Sequence, residues 1–139
     1  MTSEVPAMDI HVVAVEENEP DDCLTVAAAE EEDGGGHQLI VQIPLHDPDD
    51  QERSLGLDTY CLMNADGATH YGGIREAALT DTVLNLTFTE EARQELGLPA
   101  EHLRLRLNVT PGEVGQFATG LNRALHYGNP DHRPEQIDL

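Results

Sequence analysis

The chain contains no lysine and no tryptophan, only two cysteines and two phenylalanines, and no long hydrophobic run. Each shortage excludes something. Without lysine there is no Walker-type phosphate loop, and the glycines at 34–36 and 72–73 lack the GxGxxG spacing of a dinucleotide fold. Seven arginines stand against 27 acidic residues, for a formal net charge of -20. No basic stripe is left for a nucleic-acid backbone, and an anionic membrane is repelled. No apolar stretch approaches the roughly 18 residues that span a bilayer. The opening MTSEVPAMDIHVV has neither a basic start nor a sustained apolar run, so no secretory signal is visible and cytoplasmic residence is expected. Cys23 and Cys61 are too few and too far apart for a CxxC zinc site, and are expected as free thiols buried like small hydrophobes. With so few aromatics, the core falls to Leu, Val, Ile and Ala.

What the chain does have is a hairpin at residues 55–74, LGLDTYCLMNADGATHYGGI. Its turn, Asn64-Ala65-Asp66-Gly67, suits a type I turn closed by a left-handed glycine. Counting outward puts Cys61 opposite Tyr71 and Leu62 opposite His70. A slip of one residue pairs Tyr60 with Tyr71 and turns the other face inward, and both registers stand open. Gly72-Gly73 ends the second arm at a bulge or close backbone approach.

Around this hairpin the chain reads as a single domain over 1–139, with a core at about 9–127 and flexible tails at 1–8 and 129–139. Residues 9–15 alternate as one strand, followed by a turn over 16–22 that contains Pro20. Residues 23–29 read as a strand, although the AAAEEE end is equally a helix start, and residues 39–44 read as a third. The segment 46–54 is an exposed acidic loop. Two strands around Thr80-Asp81 follow, the second with Leu84, Leu86 and Phe88 on one face. Thr89 caps a short helix stopped by Gly97, and Leu103, Leu105 and Leu107 line a strand opposite Arg104 and Arg106. Thr110-Pro111-Gly112-Glu113 opens the last helix with a capping box, and Val114, Phe117, Leu121 and Leu125 give it an apolar stripe. The first three strands suggest an antiparallel meander. The expected fold is α+β: a mainly antiparallel sheet of about six or seven strands, a short helix, and a longer C-terminal helix packed on one face.

Candidate chemistry is thin. A Cys61–His70 nucleophile pair fails in the favoured register, which puts the two on opposite faces, and acidic surroundings raise a thiol pKa. The run from Asp47 to Glu52 lacks the central Gly and late Glu of an EF-hand loop. No metal ligands, cofactor site or catalytic residues are therefore assigned, and no enzyme is expected. A small acidic ligand- or metal-binding domain is the alternative reading. Asp58, Tyr60, His70 and Tyr71 gather polar and amphipathic groups on the hairpin, and tyrosines of this kind are enriched at recognition hot spots.

The strings Gly56-Leu57-Asp58-Thr59-Tyr60-Cys61 and Thr69-His70-Tyr71-Gly72-Gly73 resemble the immunity protein 10 family of bacterial polymorphic toxin systems. Thr89-Glu90-Glu91-Ala92 and Leu96-Gly97-Leu98-Pro99 fit the order that follows, so the resemblance runs over about 9–127. It implies a cytosolic α+β protein that neutralises a cognate toxin by occlusion. Asp58, Tyr60, His70, Tyr71, Gly72 and Gly73 then mark either the family's scaffold or its contact surface. The charge points to a toxin with a basic, nuclease-type cleft, met by the acidic segments that hold Glu17, Asp21, Asp22, Glu31, Glu32, Asp47, Asp49, Asp50 and Glu52.

Overall fold

The computed structural model describes residues 6–18, 22–32 and 36–139. The fold is α+β and mostly antiparallel, as the alternation predicted, and the ten strands among the described residues form two sheets, the expected three-strand meander lying in the second. In the first sheet the order is β1 (Ala7–Ile10), β9 (His102–Leu107), β8 (Val83–Phe88), β7 (Ile74–Thr80) and β10 (Gln136–Asp138). Both edge strands, β1 and β10, run parallel to their neighbours. The second sheet is antiparallel throughout: β2 (Val12–Asn18), β3 (Cys23–Ala29), β4 (Gln38–Pro44), β5 (Cys61–Asn64) and β6 (Thr69–Tyr71).

The chain passes between sheets at two corners. One is His11, which divides the expected single strand over 9–15 into β1 and β2. The core-facing parity changes there, from Ile10 in β1 to Val13 and Val15 in β2, and the run of four apolar residues at 12–15 hides the switch. The other is Gly72-Gly73, between β6 and β7. Each sheet turns one face to a common core. Leu84, Leu86, Leu103 and Leu105 come from the first sheet, and Leu24, Val26, Val41 and Leu62 from the second. Burying side chains of this size stabilises by about 1.5–3 kcal/mol each before entropy is counted.

Helix α3 (Pro111–Leu125) lies against β2, β3 and β4, with Val114, Phe117, Leu121 and Leu125 inward. Its expected capping box is present: Thr110 Oγ1 accepts from the Glu113 N–H at 3.2 Å, and the Thr110 N–H donates to the Glu113 carboxylate at 3.3 Å. Gly120 lets the helix sit close, because a Cβ there would lie 2.9 Å from Val15 Cγ1. Helix α2 (Glu90–Glu95) starts at Thr89 as predicted. Within the segment read as an acidic loop there is a further helix, α1 (Asp50–Ser54), capped by Asp49 and Glu52. It has no buried residue, so no apolar period announced it.

Residues 129–139 are not a flexible tail. Asn129 caps a 3₁₀ turn at Pro130–His132, and β10 pairs with β7, where Ile137 packs against the core. The unpaired edge of β7 supplies hydrogen bonds that a polar sequence with one central Ile did not advertise. Ala7 and Met8, likewise expected in a ragged start, belong to β1. The closing segment is held at Gly128 (φ +78), where a Cβ would lie 1.9 Å from the Asp58 carbonyl oxygen. We expect Gly128→Ala to cost about 2–4 kcal/mol in urea unfolding, against under about 0.5 kcal/mol for the exposed Gly112→Ala.

Candidate functional site

The hairpin forms in the favoured register: Cys61 opposite Tyr71, Leu62 opposite His70. Asn64 enforces it. Its side-chain oxygen accepts from the N–H groups of Asp66 (3.0 Å) and Ala68 (2.9 Å), while the Gly67 N–H reaches the Asn64 carbonyl at 3.2 Å. Gly67 takes φ +84, the left-handed position that closes the turn. The Asn64 amide also donates to the Leu96 carbonyl at 2.8 Å, which ties the hairpin to the end of α2.

Residues 55–60 do not extend the first arm. They form a loop that runs beneath the glycine corner, where Tyr60 is wholly buried. Its hydroxyl accepts from the Ile74 N–H at 2.9 Å and donates to the Ile74 carbonyl at 3.3 Å. Burial pushes its pKa up to about 12. Asp58 is buried at 6% exposure, and its carbonyl accepts from the Asn129 N–H at 2.8 Å. Gly72 donates to the Tyr60 carbonyl at 2.8 Å. Gly73 (φ +102) gives α2 room, since a Cβ there would lie 2.6 Å from Ala92 Cβ and 2.7 Å from His70 Cδ2. Asp58, Tyr60, Gly72 and Gly73 thus form the corner's frame.

His70 faces α2, and its Nδ1 hydrogen donates to Glu95 at 2.5 Å. The ligand atoms of His70, Glu91 and Glu95 lie within 4.8 Å of one another, the one cluster of metal-ligating type among the described residues. Cys61 is on the opposite sheet face from His70, and burial raises its thiol pKa. Neither a base nor an electropositive setting serves it.

Of the hairpin residues singled out, Tyr71 alone is a large exposed hydrophobic, at 41%. It lines a cleft of about 330 Å³ together with Cys23, Gln42, Glu52, Thr59 and Cys61 among others. Thr59 is 2% exposed, and its hydroxyl has no hydrogen-bond partner among the described residues. Sequence reasoning passed over it because a threonine between two motif residues looks like a strand residue.

The acidic segments fall at the two ends of the second sheet. At one end, Asp22 and Glu52 flank His46, at 3.9 and 3.3 Å, with exposed Asp47, Asp49 and Asp50 beside them. At the other end, exposed Glu31 and Glu32 follow Glu30, whose carboxyl is held below its ordinary range chiefly by the His37 backbone N–H at 2.7 Å. Glu17 is exposed on β2 and pairs with Arg123. Asp21, and Asp33 to Gly35 of the glycine-rich connection, lie outside the described residues.

Fold and site together define a small acidic α+β scaffold whose motif residues are largely spent inside and whose second sheet carries acidic segments at both ends. A family model described as Immunity protein 10 matches residues 9–115. The chain belongs to that family. Comparison with curated proteins and with solved structures returns no match.

Ionisation of Tyr60 is linked to folding. An unfolded tyrosine loses its proton near pH 10, the folded one near 12, so its contribution is full below about pH 10 and is lost as pH rises toward 12. Urea unfolding measured from pH 8 to 12 is expected to show this decline. Tyr60→Phe should reduce it, leaving the part due to Tyr127, also pushed up to about 12, and to Tyr71, while costing about 1–3 kcal/mol at pH 8 through the unpaired Ile74 N–H.

Proposed function

We propose that this chain binds a cognate bacterial toxin and neutralises it by covering the toxin's active cleft. Membership of the Immunity protein 10 family, over residues 9–115, carries the reading. Occlusion needs no chemistry from the inhibitor, so the chain acts as a binding protein and not as an enzyme. The acidic surface selects the partner. A net charge of -20 accelerates encounter with a basic surface, and a cleft built to hold nucleic acid is basic, which makes a nuclease-type toxin the best fit. The same charge turns away nucleic acid itself.

We place the encounter in the cytoplasm, where such a toxin does its damage and free thiols persist. No helix among the described residues is long and apolar enough to cross a membrane. We also take the chain as one domain, for which the single core shared by both sheets speaks.

The cluster of His70, Glu91 and Glu95 favours a second reading, a divalent-cation site. A ligand of the folded state raises the melting temperature by mass action. Under the first reading, adding zinc or manganese leaves that temperature unchanged. A saturable rise lost in His70→Ala would favour the second.

Co-expression tests the first reading directly. Cells producing the toxin encoded beside this gene should survive when the chain is present. The purified pair should bind with an affinity that falls at least about tenfold between about 0.05 and 0.5 M salt, as screening shortens the reach of surface charge. Death of cells that contain ample folded chain would count against the proposal.

A further inference from the structure

Helix α3 packs on one face of the second sheet, where Val15 and Val26 meet Gly120, and the outward face is bordered at one end by Glu52 of α1 with Leu57 and Thr59. Register assigns Thr25, Ala27, Ile40, Gln42, Met63 and Tyr71 to this outward face. Glu16 is the one charged side chain among its described residues. In a chain with 27 acidic residues, a sheet face with a single charged side chain among its described residues is unexpected where it meets only water. Acidic segments bracket it at both ends, with Asp22, Asp49 and Glu52 at one and Glu31 and Glu32 at the other. This is the layout of an interface, an uncharged centre inside a polar rim.

The cleft beside Tyr71 adds a specific recognition feature. Its polar lining includes the Glu52 carboxylate, the Thr59 hydroxyl without a partner among the described residues, the Gln42 amide, the Cys23 and Cys61 sulfurs and Tyr71. No cation lines it. A buried hydroxyl left unpaired costs free energy until something pairs with it. A cationic donor suits the Glu52, Thr59 and Tyr71 side of this lining, through a charge-assisted hydrogen bond to Glu52, a bond to the Thr59 oxygen and contact with the Tyr71 ring.

We propose that this sheet face is the docking surface for the toxin, and that the cleft beside Tyr71 receives an arginine or lysine side chain from the toxin's basic cleft. The inference rests on the immunity reading and names its contact surface. A second copy of the chain is the wrong occupant on charge, because two surfaces ringed by carboxylates repel.

The test is calorimetric titration of the toxin domain encoded beside this gene, made inactive at its catalytic residue, into wild type and four variants. Tyr71→Ala and Glu52→Gln should each weaken binding at least about tenfold, the scale of a buried anchor. Thr59→Val should raise the free chain's melting temperature, by removing an unpaired polar atom, and yet weaken binding several-fold. A hydroxyl with a purely structural role would not do both. Glu76→Gln/Asp138→Asn, on the outer face of the first sheet, should leave affinity within about twofold. Tight wild-type binding with Tyr71→Ala and Glu52→Gln unaffected would overturn this inference and leave the immunity reading standing. Absence of wild-type binding at low salt would overturn both. A free chain that sediments as a dimer, and as a monomer once Tyr71 is replaced, would overturn it in favour of a second copy.

Discussion

The buried hydroxyl of Tyr60 is the contact on which the arrangement of the two sheets most depends. It both accepts from and donates to the backbone of Ile74, the first residue after the glycine corner. That pair of bonds fixes where the chain leaves the second sheet and enters the first. Gly72 and Gly73 adopt the positive φ the corner needs, and Gly73 leaves the gap that α2 fills against His70. Asp58, one turn of loop away, receives the returning chain at Gly128 and Asn129. One loop therefore gathers both sheets, α2 and the C-terminal strand.

A consequence for function follows from this economy. The residues that give the sequence its individuality are largely used up inside, so recognition must be carried by side chains the corner merely presents. Tyr71 is the exception, because it sits on the outward face of the strand whose inward face carries His70. Charge organises the remainder. Surface pairs such as Arg106–Asp9 at 2.8 Å contribute little stability individually, and seven arginines cannot neutralise 27 acids. The excess repels itself in the free chain, a cost that the proposed basic partner would relieve.

The sequence disclosed those features whose cause is local. The strand at 102–107 alternates cleanly because water lies on one side and core on the other. The hairpin register could be counted because Asn64 and Gly67 fix the turn by their own chemistry. The capping box at Thr110 and Glu113 is a property of four consecutive residues. Features set at long range stayed hidden. β1 finds β9, with Asp9 opposite Arg106, and β10 finds β7, pairings that no neighbouring residue signals. α1 was masked by a composition of charged and polar residues, although Asp49 and Glu52 form the same reciprocal cap read correctly at Thr110. The burial of Tyr60 depends on a corner that exists only once both sheets are built, and so does the cleft around Thr59.

Carboxylate footprinting of the complex tests the central claim most directly, that a corner-built scaffold offers the acid-ringed face of its second sheet to a toxin. The free chain and its complex with inactive toxin would be treated with carbodiimide and a labelling amine, then mapped by mass. The account predicts that Glu16, Asp22 and Glu52 lose reactivity on binding, while Glu76 and Asp138 on the first sheet keep theirs. Protection of Glu76 and Asp138, with Glu16 and Glu52 still fully labelled, would contradict it.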